Sequence, residues 1–215
     1  MSKALTLFLP KVALEISMAP QIVLLDAVRE SCIKFCKLSH IWKEWLDPIS
    51  VITTERAIQI EHPDNARVMK VLRARFYTDA SAQTILSPIT PNSADVDHPG
   101  WDVDLSGEPA SIFLDSDDEI RIAPHPATAG YISMQAVLRP SEASTSVADV
   151  LYLAHYQIIA DGAKAHLMAQ AGVDWTNPNR AAQLKEEFES AARSLNVAQA
   201  TGFTRSRLRS RLENR

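Results

Sequence analysis

Gly172-Val173-Asp174-Trp175-Thr176-Asn177-Pro178 divides the last third of the chain into two helical stretches, and reading it decides the helical part of the fold. Asn177 is suited to cap orphan helix N–H groups, and proline is tolerated at the first helical position, so a helix starts at Pro178. Its apolar residues follow as Ala181, Leu184, Phe188, Ala191, Leu195 and Ala198. Spacings that alternate between three and four keep one seam facing a partner, with Lys185, Glu186, Glu187 and Glu189 largely outside it. Gly202 supplies the stop, because glycine enters the left-handed conformation without a side-chain clash.

Upstream of the break, a helix over 148–170 carries Leu151, Ala154, Ile158, Gly162, Ala165 and Ala169 on one stripe. The stripe is unusually small. A glycine inside a helix costs about 1 kcal/mol relative to alanine, so Gly162 implies close approach of another backbone, most simply the following helix. A close-packed antiparallel pair results, as an intramolecular core pair with a subunit interface as an added role.

At 215 residues and 46% hydrophobic content, the chain can bury a sizeable core as one domain, or one domain with an appendage. Its formal charge, 22 − 26 = −4, is uneven. From Thr204 onward five arginines face only Glu213, so the tail is +4 and the remainder −8. An acidic body with a short basic tail argues against wholesale coating of nucleic acid and for a tail that meets an acidic surface or a phosphate backbone. Cys32 and Cys36, four apart in a helical stretch, read as small buried hydrophobes in a reducing compartment. The opening ten residues are cut by Pro10 and followed by Lys11 and Glu15, and no run of about 18 apolar residues occurs. Neither a signal peptide nor a membrane span is predicted.

Residues 4–16 read as an extended arm or edge segment. Pro20 marks a helix start, with Leu25, Val28, Cys32 and Phe35 as its buried stripe, Ile22 and Cys36 at the margins, and an end near Ser39. Residues 41–46 read as a short strand or turn. The helical period then disappears, and strands are expected at 51–54, 57–60, 68–77, 111–114, 119–122 and 131–138. In the last, Ile132, Met134, Ala136 and Leu138 alternate with Ser133, Gln135, Val137 and Arg139, the pattern of a strand with one buried face. Asp115-Ser116-Asp117-Asp118 reads as a hairpin turn, and 88–109 as a long exposed loop.

Chemical motifs are absent: no nucleotide loop, no Gly-x-Ser-x-Gly elbow, no His-Glu-x-x-His. Cys32, Cys36 and His40 fall at i, i+4 and i+8, but a zinc site needs a fourth ligand and second-shell support. Asp95, Asp97, Asp102, Asp104 and Glu108, with His98 among them, match no calcium-loop spacing and suit a solvated loop. His62, His125, His155 and His166 have no nucleophile arrangement. The reading is therefore of no catalytic residue, no cofactor and no metal site. The tail carries the one site: Arg205, Arg207, Arg209 and Arg211 alternate strictly, and Leu208 and Leu212 lie one helical turn apart. Leucines interleaved with arginines offer apolar anchors and planar donors to one groove of a partner. A solvated terminus and direct DNA contact are the other readings.

Ile33-Lys34-Phe35-Cys36 leads into Ile41-Trp42 and Leu46-Asp47-Pro48-Ile49, and Asp64-Asn65-Ala66-Arg67-Val68 runs on to Arg75. Later come Leu138-Arg139-Pro140-Ser141, Ala160-Asp161-Gly162-Ala163, Trp175-Thr176-Asn177-Pro178, Ala181-Ala182 and Phe188. In these residues, over most of its length, the chain resembles the head-to-tail adaptor proteins of short-tailed bacteriophages and their prophage relatives. The resemblance implies a virion structural protein of the head-tail junction, made in the host cytoplasm, with no enzymatic activity. It implies a homo-oligomeric ring, usually of about twelve copies, beneath the portal protein and above the tail nozzle protein. DNA would pass its lumen without sequence-specific binding, no membrane would be involved, and the C-terminal segment that engages the portal would fall on 202–215. Alternatives are another tail-completion or minor virion protein, or a small metal-dependent enzyme using the acidic loop 95–108.

The expected fold is α+β: an antiparallel helical bundle, from an N-terminal helix and two C-terminal helices over 17–46 and 147–200, with a small antiparallel β module inserted at 47–146. The basic tail, 201–215, follows.

Overall fold

A computed structural model of the chain describes residues 2–78, 83–101, 106–116 and 118–201. In chain order it contains strand β1 (Ser2–Ala4), a 3-10 turn (Leu5–Phe8), helices α1 (Leu9–Ala13) and α2 (Gln21–Ser39), and strands β2 (Lys43–Trp45), β3 (Ile49–Val51), β4 (Ile58–Gln59), β5 (Ala66–Tyr77) and β6 (Gln83–Pro88). Then come helix α3 (Pro91–Asp97) and strands β7 (Ser106–Gly107), β8 (Ser111–Leu114), β9 (Glu119–Ala123), β10 (His125–Pro126), β11 (Gly130–Pro140) and β12 (Ser146–Ala148). Helices α4 (Asp149–Met168) and α5 (Pro178–Thr201) follow. These elements form two units, Met1–Ile41 with Ala148–Arg215, and Trp42–Val147.

In the first unit α2, α4 and α5 pack on one another. Asn177 caps α5 as its position implies: its side-chain oxygen accepts the Arg180 N–H at 3.2 Å. The preceding break is knit by Thr176, whose hydroxyl oxygen lies 2.6 Å from the Gln170 carbonyl and accepts the Val173 N–H at 3.3 Å, while Gly172 takes φ +79. Helix α2 ends where His40 turns left-handed, φ 51, with its N–H on the Cys36 carbonyl.

Gly162 sits where three helices meet. A Cβ there would lie 2.5 Å from Ser31 Oγ and 2.6 Å from the Phe188 ring, and the Ser31 hydroxyl is itself held by donating to the Ile159 carbonyl at 2.7 Å. Gly162→Ala should therefore destabilise the unit by about 1–3 kcal/mol through overpacking, although alanine is the better helix former. The denaturation midpoint checks this; an unchanged or raised midpoint would mean that the contact relaxes freely.

Four expectations change here, one of them on α4, where Ile159 rather than Ile158 is buried and Ala154 and Ala169 are exposed. Residues 4–16 are not an extended arm beyond Ala4: Leu5, Phe8, Val12 and Ile16, spaced by three and four, are all buried, and that spacing makes the 3-10 turn and α1. Their anchor is partly aromatic, with the Phe8 ring edge-on to Tyr152 at 5.3 Å. On α2, Leu24 is buried while Leu25 is half-buried and Ile22 is exposed, so the buried stripe is rotated by about one residue at its start. On α5, Ala192 rather than Ala191 is buried, as expected of a straight helix drifting against a 3.5-residue repeat.

The second unit overturns the expectation of a small β module. The architecture is mixed α/β, with five helices and a large curled sheet among the described residues, not a helical bundle with a small β insertion. The sheet has eight strands in the order β2-β11-β5-β6-β8-β9-β4, with β3 also paired to β11. It is not purely antiparallel, since β6 and β8 run parallel. Its size comes from β5 and β11, twelve and eleven residues long, which pair from Tyr131 opposite Tyr77 to Pro140 opposite Ala66. Along β11 Ile132, Met134, Ala136 and Leu138 are fully buried, each of the larger three contributing on the order of 1.5–3 kcal/mol. The strand at Gln83–Pro88 was not expected, because only Leu86 on it is buried. Within 88–109, read as a loop, Thr90 accepts the Ser93 N–H and Pro91 opens α3, which docks Ala94 beside Phe113 and Ala123.

Candidate docking surfaces

The tail residues Arg205, Arg207, Leu208, Arg209, Arg211 and Leu212 lie outside the described residues, as do Gly202, Asp102 and Asp104. The remaining sequence candidates do not converge. Cys32 and Cys36 are buried on α2, and burial pushes both thiols up, that of Cys36 to about 12. His40 ends the helix, so no continuous row of three exists. Asp95 accepts the Trp101 indole N–H at 2.8 Å, and the His98 ring lies 3.0 Å from the Ser111 hydroxyl. His62 contacts Asp118 at 2.6 Å, and the half-buried His155 packs on Phe35, where burial lowers its pKa. Among the described residues no three His, Cys, Asp or Glu side chains are placed to hold a metal ion. No helix among them is long and apolar enough to cross a membrane.

What the helical unit offers is a cleft of about 270 Å³ along α2, α4 and α5, with Ser31, Gly162 and Phe188 at its floor and Glu30, Lys34, His166 and Lys185 around it. Lys34 spans the cleft wall, donating to Glu189 at 2.7 Å from above the Phe188 ring. Glu189 is held below the usual carboxylate range by that bond.

A second device ties the N-terminal segment down. Lys164, almost fully buried, donates to Glu15 at 2.6 Å and Asp161 at 3.1 Å, and Arg180 approaches Glu15 at 3.9 Å. The Lys164 bond lowers the Glu15 pKa against an opposing effect of burial. For Lys164, burial works to lower the pKa, but its bonds to Glu15 and Asp161 outweigh burial and leave it raised. A carboxylate depressed in the folded state contributes stability above its unfolded pKa and loses it as pH falls through the folded value. Glu15→Gln should therefore be less stable than the parent at pH 7, the gap closing as the pH drops below about 4.5. Melting curves across that range check it; a gap independent of pH would mean that the Glu15 charge contributes nothing to the pair.

Sequence reasoning missed the outward face of β2, β11, β5 and β6. Cross-strand pairing sets it out in rows: Arg67 opposite Arg139, Lys70 beside Val137 and Lys43, Arg73 beside Gln135 and Trp45, Arg75 between Ser133 and Ile85, and Tyr77 between Tyr131 and Gln83. Two register shifts in the β5–β11 ladder keep Arg67 and Lys70 on the same side as Arg73 and Arg75. Six of the unit's eight basic residues thus share one face, without a single acidic residue in its rows. The aromatics are ordered by each other: Tyr77 and Tyr131 stack at 5.8 Å, and the Arg75 guanidinium sits 5.8 Å over Trp45. At one end Arg67 pairs with Asp118 and Arg139 with Glu142. Lys43, Lys70, Arg73 and Arg75 have no carboxylate partner among the described residues. The available signal was the alternation in Arg73-Ala74-Arg75-Phe76-Tyr77.

Residues 8–211 match the family described as SU10 adaptor protein. No curated protein matches the chain.

Proposed function

Because the chain belongs to the SU10 adaptor protein family, a family of phage structural adaptors, we propose that it forms a ring that joins the portal to the tail at the head-tail junction and leaves a lumen for DNA. The observation that carries this reading is the extent of the family match, which runs from the first helical segment through both units into the basic tail. The resemblance to head-to-tail adaptors implies about twelve copies, which close as a cyclic ring, and the ring carries no catalytic activity. The charge balance supports it: a body of net −8 repels the phosphate backbone overall, which favours passage of the duplex over its retention. The +4 tail is the portal-docking element, with Leu208 and Leu212 as anchors and Arg205, Arg207, Arg209 and Arg211 as donors to an acidic groove.

Negative-stain imaging of the protein mixed with its portal tests the assembly. A chain truncated after Thr201 should keep its helix content and melting behaviour but lose portal attachment, and replacing Arg207, Arg209 and Arg211 by alanine should weaken attachment more at low salt than at high salt. Truncated chains that still dock and yield filled, tailed particles would assign that contact to the body instead.

A further inference from the structure

Building on the ring reading, we infer that the basic, aromatic face of β2, β11, β5 and β6 is one half of the subunit-subunit contact and docks on the acidic remainder of the sheet unit of a second copy. Charge complementarity chooses the occupant. Residues 42–147 contain eight Lys and Arg against sixteen Asp and Glu. Six of the eight lie on this face, so the rest of the unit carries two bases against sixteen acids, 2 − 16 = −14. A chain with one cationic face and an otherwise strongly anionic unit is complementary to a copy of itself through two different surfaces. That is the requirement of a head-to-tail contact, which closes into a ring when the rotation permits.

The composition of the face points the same way. Trp45 and Tyr131 are close to half exposed and Ile85 is 76% exposed, among arginines. Tyrosine, tryptophan and arginine are the residues that dominate protein interfaces. The phosphate backbone of a DNA duplex matches the arginines and lysines alone; Ile85 and the aromatic rings would have to reach base edges in a groove, whereas a protein surface meets both at once. The face is also pre-ordered: the Tyr77–Tyr131 stack and the Arg75–Trp45 contact hold four of its side chains before any partner arrives, which reduces the entropy lost on docking.

The test is the oligomeric state of the full-length protein by sedimentation velocity, from about 50 mM to about 500 mM salt, a range over which the Debye length shrinks severalfold. The parent should self-associate, less so at high salt. Lys70→Glu, Arg73→Glu and Arg75→Glu combined should weaken association by at least about tenfold, with unchanged melting because the three side chains are exposed. The milder Lys70→Gln, Arg73→Gln, Arg75→Gln variant should show a smaller loss in the same direction. Mixed with parent protein, the reversed variant keeps its acidic surface, so it should cap growing oligomers at one end. Failure to enter any complex with the parent would overturn the acidic counterpart. A ring that persists unchanged in the reversed variant overturns this inference and leaves the ring reading standing, whereas a parent that is monomeric at every salt and concentration overturns both. If the parent binds duplex DNA, the variant does not, and the oligomer is the same in both, the face is a phosphate site and the inference fails.

Discussion

Phe188→Ala should cost the helical unit about 3–5 kcal/mol, the range for truncating a buried aromatic without collapse of the site. The ring is 3% exposed, faces Phe35 at 5.9 Å, forms one wall around Gly162 and lies under the Lys34 ammonium. Because Gly162 has no side chain to move into the vacated space, the cavity stays largely open and the loss should sit at the upper end. Chemical denaturation with helix content as the signal measures it, and a loss below about 1 kcal/mol would mean that α5 does not bury this face.

A comparable loss, about 3–5 kcal/mol, is expected for Phe113→Ala in the sheet unit. Phe113 is 1% exposed and packs with Ala94 and Ala123, and Trp101 meets it edge-on at 4.8 Å. Two alanines, the partly buried Ile89 and Trp101 cannot fill the space left by a benzyl group. The readout is specific: tryptophan emission should shift to the red as Trp101 loses its cover, and α3, whose one buried residue is Ala94, should lose protection against hydrogen exchange. A variant as stable as the parent would show that α3 and Trp101 do not depend on this core.

Much of the helical unit was legible in the sequence because its signals are local. Asn177-Pro178 caps and starts α5, Pro20 precedes α2, and Gly162 marks the crowded crossing, each readable from a few neighbours. The errors there are of phase: Leu24 for Leu25 and Ala192 for Ala191 differ by about 100° of helix rotation, which tertiary packing alone decides. The N-terminal segment was missed although Leu5, Phe8, Val12 and Ile16 carry a helical spacing, because Pro10 interrupts it and reads as a breaker, whereas proline is accommodated in the first turn of α1.

The sheet was legible as strands but not as a sheet. Six segments read as strands, only one of them, 131–138, from clear apolar alternation, yet which strands meet, and that β6 runs parallel to β8, depends on contacts far apart in sequence. The basic face is invisible for the same reason. Lys43, Arg67, Lys70, Arg73, Arg75 and Arg139 are scattered over nearly a hundred positions, and only pairing of β2, β11 and β5 assembles them. The bulges at Gln135/Ala136 and Val137/Leu138 add a further obstacle, since a strict period of two would place Lys70 on the buried side.

The insertion of the sheet unit between Ile41 and Ala148 imposes an order on synthesis. Ser31 on α2 bonds to Ile159, 128 positions later, and Lys34 to Glu189, 155 positions later. A ribosome adding about 5–20 residues per second leaves α2 without α4 and α5 for many seconds. The strands from β2 to β11 emerge within that interval and can pair with one another first. During the wait the face of α2 that α4 and α5 will cover is open, so the nascent chain is most vulnerable to aggregation and most in need of a chaperone between the emergence of α2 and that of α5.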